Sequence, residues 1–137
     1  MEILKIKGVG FKKIKGRKAI VCKICVLSPA EQFPEMLLDQ SETHLQLLAL
    51  IQNWSKRGSY FTTKELVNYA QQCGYHNVGL NYNLIKGSKW VREIEVEIDN
   101  EGKIVEILQM DSDLDRSFNI ALNESIKGKQ IINTKKL

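Results

Sequence analysis

From Glu93 to Ile98 the chain runs Glu-Ile-Glu-Val-Glu-Ile, an unbroken alternation of charged and aliphatic side chains. Successive residues of a strand point to opposite faces, so this stretch buries one face and keeps the other polar. Asp99-Asn100-Glu101-Gly102 then supplies a turn, and Lys103–Leu108 returns with Ile104, Val105, Ile107 and Leu108. The pattern predicts an antiparallel hairpin with one solvated face. A two-stranded hairpin is marginal alone in water, so other elements have to cover its apolar side.

Helices are available for that cover. A segment beginning near Ser41 carries Leu45, Leu48, Ile51 and Gln52 on one side, with Leu47, Leu50 and Trp54 adjacent, which predicts a wide buried face. Lys56 and Arg57 complement the dipole of its last turn, and Gly58 suits the left-handed position just past it. His44, in the first turn, is expected as a surface or packing residue. Thr62-Thr63-Lys64-Glu65 matches a capping box, with Leu66, Val67, Ala70 and Cys73 following at helical spacing before Gly74. Asn77–Lys86 mixes two periods. A helical turn is predicted at Pro34–Leu38, and Phe118, Leu122 and Ile126 mark a last short helix after the polar link Asp111–Asp115.

The N-terminal fifth reads as β. Ile3–Lys7 predicts a strand, Gly8 and Gly10 a bulge or turn, and Phe11–Lys15 and Lys18–Leu27 two arms of a hairpin around Gly16-Arg17. Ser28-Pro29 ends it, because proline has no N–H for a continuing ladder. The expected class is therefore α+β: an N-terminal basic antiparallel hairpin, two to three central helices, a second antiparallel hairpin and a short C-terminal helix. With 137 residues a single domain is expected over 1–137. Within it, 1–27 is the basic hairpin, 41–108 a helix-helix-hairpin core, and 128–137 a flexible basic tail.

Charge is segregated along the chain. Eight Lys/Arg face Glu2 alone in residues 1–27, whereas residues 88–115 hold nine acidic and three basic groups. A net charge of +4 with 43% hydrophobic residues is too apolar and too weakly charged for disorder. Either the two regions form separate surfaces, or they neutralise each other inside one fold. Three cysteines are an odd number and unlike a disulfide framework, and the lysine-dotted N-terminus has no apolar core of a signal peptide. The stretch Leu45–Trp54 is about half a membrane span. A reducing cytoplasmic setting without membrane association is expected.

Chemical signatures are sparse. Cys22-Lys23-Ile24-Cys25 with Cys73-Gly74-Tyr75-His76 has the composition of a Cys3His zinc site. An odd separation inside a strand turns Cys22 and Cys25 to opposite faces, so buried thiols are expected instead. Glu101-Gly102-Lys103 resembles a fragment of a metal-dependent nuclease site, but it falls on a turn. Gly8-Val9-Gly10 lacks the third glycine and following helix of a phosphate loop, and no cofactor is expected.

The order helix 41–57, extended 59–61, helix 63–73, segment 77–86 and hairpin 90–108 resembles a winged helix-turn-helix. That resemblance implies a third segment able to enter a DNA major groove, offering Asn77, Asn81, Asn83, Lys86 and Lys89 to base edges or phosphates. The glutamates of the hairpin argue against its use as a DNA-contacting wing. Lys12, Lys13, Lys15, Arg17 and Lys18 of the basic hairpin are the better phosphate contacts, with Phe11 interleaved for stacking. The expected function is a noncatalytic nucleic-acid-binding module or small regulator. The alternative is a protein-binding module, of inhibitor, immunity or assembly type, that docks through its acidic hairpin or an edge strand. A small RNase or metal-dependent nuclease comes third.

Overall fold

The computed structural model describes residue 6 and residues 8–27, 42–86, 91–108 and 116–132. The expected helical turn at 34–38 and link at 111–115 lie outside these, and of the expected strand Ile3–Lys7 only Ile6 is described, buried in the core. The architecture is α+β, in the order β1 (Gly10–Ile14), β2 (Arg17–Leu27), α1 (Glu42–Lys56), β3 (Ser59–Phe61), α2 (Thr63–Gln72), α3 (Val78–Lys86), β4 (Val91–Ile98), β5 (Ile104–Ile107), α4 (Arg116–Ile126) and β6 (Gln130–Ile132). Among the described residues no helix is long and apolar enough to cross a membrane.

One antiparallel sheet has the order β1-β2-β4-β5, and a parallel pair joins β3 to β6. The β1–β2 turn is Lys15-Gly16, one residue earlier than the sequence pattern suggested. Both residues have positive φ, 53° and 79°, as a two-residue turn matched to strand twist requires. Arg17 therefore opens β2 opposite Ile14. The register decides which cations share a face.

The alternation in β4 works as expected. Ile94, Val96 and Ile98 meet Cys22, Ile24 and Val26 of β2, Tyr60 of β3, Leu122 and Ile126 of α4, and Ile131 of β6 in one core. The opposite sheet face is covered at one end by the helices. Leu47, Leu48 and Ile51 of α1, Leu66 and Ala70 of α2, and Val78, Tyr82 and Ile85 of α3 pack there against Cys25 and Val91. The sheet thus separates two apolar layers, with Cys22 in one and Cys25 in the other.

Three details differ from the sequence pattern. The buried stripe of α1 is Thr43, His44, Leu47, Leu48 and Ile51, while Leu45 only packs at the edge, because α3, β3 and β2 all press on this helix. Asn77–Lys86 resolves into a helix: Asn77 takes φ 54° and its carbonyl accepts from Asn81 N at 3.0 Å. Residues 130–132, expected in a flexible tail, form β6, where Ile131 is buried beside Tyr60. The caps follow the pattern: Thr62 Oγ1 accepts from Glu65 N at 3.1 Å, and Gly58 has φ 74°.

The winged-helix resemblance stops at element order. A wing projects from its helices, whereas β4 lies between β2 and β5, paired with β2 along its whole length. The arrangement lends no support to that part of the expectation.

Candidate nucleic-acid interface

Cross-strand partners share a face, so the register sorts the basic hairpin into two sets. Lys12, opposite Ala19, and Arg17, opposite Ile14, lie on the face that carries Glu93, Glu95 and Glu97 of β4. Lys12 Nζ pairs with Glu95 at 2.5 Å, and Arg17 Nη2 with Glu97 Oε1 at 2.7 Å. The hydrogen bond and charge of Glu97 raise the Arg17 pKa further above its already high ordinary value. Glu97 is 6% exposed, so Arg17 caps a carboxylate that is otherwise out of water. Two of the glutamates expected on a solvated hairpin face, Glu95 and Glu97, are thus engaged with two of the cations expected to meet phosphate. On this face Glu95 and Glu97 neutralise Lys12 and Arg17, while Lys23 has no acidic partner among the described residues.

The other face of the hairpin is different. Lys13 sits directly opposite Lys18, and Phe11 opposite Ile20. The β4 residues on that side are Arg92, Ile94, Val96 and Ile98, so the described sheet offers it no carboxylate. Phe11 is 50% exposed, and Lys18 Nζ stands 4.6 Å from its ring centroid. Lys15 is exposed in the turn. Like charges directly opposed on a strand pair are destabilising, which makes this a local conflict within the free protein.

The side chains of the expected reading segment lie in different settings. Asn81 is buried, with Nδ2 donating to the Asn77 carbonyl at 2.9 Å, so its amide secures the start of α3. Lys86 Nζ lies 5.8 Å from the Tyr82 ring centroid, Asn77 and Asn83 are exposed, and Lys89 lies outside the described residues. The outer side of α3 is led by Leu80 and Leu84, 63% and 56% exposed, rather than by a row of amides.

The zinc set is scattered as well. Cys22 and Cys25 point to opposite sides of the sheet, while Cys73 and His76 are exposed near the end of α2. Among the described residues no three metal-ligating side chains converge. Burial pushes the Cys22 thiol up to about 12 and the Cys25 thiol up to about 11. Glu101-Gly102-Lys103 forms a tight turn in which Asp99 Oδ1 accepts from the amides of Glu101 and Lys103 at 2.8 and 2.9 Å.

One polar cluster was not evident from sequence. Tyr82 Oη donates to Glu93 Oε2 and lies 3.1 Å from Thr63 Oγ1, while Cys25 Sγ–H donates to Tyr82 Oη at 3.0 Å. Thr63 also donates to Glu93, at 3.3 Å. Burial, then the Cys25 thiol, raises the Tyr82 pKa, so the phenol stays protonated as a donor. The cluster joins β2, β4, α2 and α3. The extra Thr beside the helix cap and the glutamate at the covered end of β4 were its only traces.

Comparison with protein-family profiles, characterised proteins and solved structures gave no match to this chain.

Proposed function

We propose that the protein binds nucleic acid through the outer face of its N-terminal hairpin, with Lys13, Lys15 and Lys18 on phosphates and Phe11 stacked on a base. The observation that carries this reading is the division of the hairpin cations. Lys12 and Arg17 are matched by Glu95 and Glu97, while Lys13 and Lys18 oppose each other beside a half-exposed ring. Phosphodiester oxygens would relieve that repulsion, and an aromatic platform tolerates any base. The reading replaces the five-cation set expected from sequence with three.

Fluorescence anisotropy of labelled single-stranded and duplex oligonucleotides, titrated across salt, tests it. K13Q/K15Q/K18Q should lower the salt slope of log affinity by about 2 for a single strand, at roughly 0.7 per contact. Phe11→Ala should weaken single-strand binding by about 1–3 kcal/mol with the slope preserved. Wild-type protein without salt-sensitive binding to either oligonucleotide at low salt would overturn the proposal.

A second reading, docking of a protein strand, is favoured by β1. Among the described residues it is the outer strand of the sheet, and none of its five residues is buried. A partner strand would add main-chain hydrogen bonds along it. The other sheet edge is less open, because the β5 residue Ile104 exchanges hydrogen bonds with Gly128 and Lys129.

A further inference from the structure

The neutralised face of the hairpin borders a groove of about 350 Å³ between the sheet and the first turn of α2. Its sides are Lys12, Lys23 and Glu95 of the sheet and Thr63 and Lys64 of α2, with Gly8 and Gly10 along one rim. These residues face away from Phe11, Lys13 and Lys18, so the groove is separate from the outer face of the hairpin.

Three ammonium groups line this groove against one carboxylate. Lys23 lies directly opposite Glu95 on the neighbouring strand, yet the Glu95 carboxylate is bonded to Lys12 at 2.5 Å. Lys23 and Lys64 are both exposed and have no acidic partner among the described residues. Gly8, at φ 82°, seats the rim against α2: a Cβ there would come within 3.2 Å of Lys64 Cβ. At Gly10 a Cβ would meet nothing within 4 Å, so the mouth beside Lys12 is open. Thr62 takes the amides of Glu65 and Leu66, which leaves those of Thr63 and Lys64 without intrahelical partners beside Lys64.

We infer that this groove is a binding site for a phosphate monoester of sugar size, its phosphate held between Lys23 and Lys64. The volume of about 350 Å³ lies at the lower end of small-ligand sites. A phosphopentose is of a size to enter it. Glu95, already neutralised by Lys12, presents a carboxylate that accepts from sugar hydroxyls, so the groove offers acceptor and cations to the two ends of one molecule.

Isothermal titration of the full chain with ribose 5-phosphate, ribose and inorganic phosphate tests the assignment. Ribose 5-phosphate should bind more tightly than inorganic phosphate, with no heat from ribose. K23Q/K64Q should weaken ribose 5-phosphate at least tenfold, while K13Q/K15Q/K18Q should leave it unchanged. Amide NMR shifts on titration should centre on Gly8, Gly10, Lys23 and Lys64. Absence of binding at millimolar ligand, equal affinity for phosphate alone, or binding unaffected by K23Q/K64Q in a folded variant would each overturn it. Oligonucleotide binding that fails while ribose 5-phosphate binding survives would remove the hairpin proposal and leave this one standing.

Discussion

Replacing Tyr82 with phenylalanine removes one oxygen from the point where four elements meet. The ring stays in the helical core, so the packing of Leu47, Ile51 and Ile85 is untouched to first order. The hydroxyl's bond to the half-buried Glu93 carboxylate is lost, and the Cys25 thiol loses its acceptor. A hydrogen bond to a charged group is worth about 1.5–3 kcal/mol. Thr63 continues to donate to Glu93, and water reaches the exposed part of that carboxylate, which places the expected loss near the lower end. Desolvation of the phenol is also relieved. We expect a net cost of about 1.5–2.5 kcal/mol, or roughly 5–10 °C in Tm for a domain of this size.

Urea denaturation of wild type, Tyr82→Phe, Glu93→Ala and the double variant isolates the interaction. If the hydroxyl–carboxylate bond holds α3 to β4, the two losses should overlap by about 1 kcal/mol or more. The slope of free energy against urea should be unchanged, because the compactness of neither state is altered. Additive losses, or a Tyr82→Phe cost below about 0.5 kcal/mol, would refute the assignment of a stabilising role to this bond.

Three further outcomes follow from burial. Of the three cysteines only Cys73 is exposed, so a thiol-specific disulfide reagent at pH 8 should modify one sulfur rapidly and the other two only on unfolding. Burial pushes the Cys22 thiol up to about 12 and the Cys25 thiol up to about 11 from an ordinary 9.0. Their raised values contribute stability that is complete below pH 9 and is lost as pH climbs toward 11–12, by up to about 1.4 kcal/mol per pH unit for each thiol; a urea midpoint flat from pH 8 to 11 would contradict this. Leu47→Ala, at a fully buried position of α1, should cost about 2–5 kcal/mol by urea denaturation.

Much of the local structure was legible because it depends on neighbours in sequence. Alternation over Glu93–Ile98 marked β4, and the Thr62–Glu65 spacing marked the start of α2. Pairings between distant elements were not. Whether Lys12 meets Glu95 depends on β2 lying beside β4 and on the hairpin turn falling at Lys15-Gly16. A slip of one residue in register exchanges the two faces, so a small error in the turn mixes paired cations with unpaired ones. The stripe on α1 was misjudged for a similar reason: a helix pressed by α3, β3 and β2 buries a side chosen by those partners. A three-residue strand such as β6 carries too little pattern to announce itself, and gains its role only through pairing with β3.

The segregation of charge along the chain thus has two consequences in the fold. Part of it is structural: Glu95 and Glu97 hold Lys12 of β1 and Arg17 at the start of β2 over β4, and Glu93 draws α2 and α3 onto the same strand through Thr63 and Tyr82. Of the remainder, Lys23 stays on the Glu95 face, and Lys13 and Lys18 oppose each other on the other side, with no acid between them among the described residues. Repulsion within that pair weakens the ladder that the other cations stabilise, offset in part by the Lys18 ammonium over the Phe11 ring. An anion lying across Lys13 and Lys18 reverses the sign of the local term. If the proposed binding takes place at that face, it would be coupled to the stability of β1 against β2, since a ligand that favours the paired hairpin stabilises it by mass action. The same side chains that weaken the free ribbon would make its bound form the more rigid one.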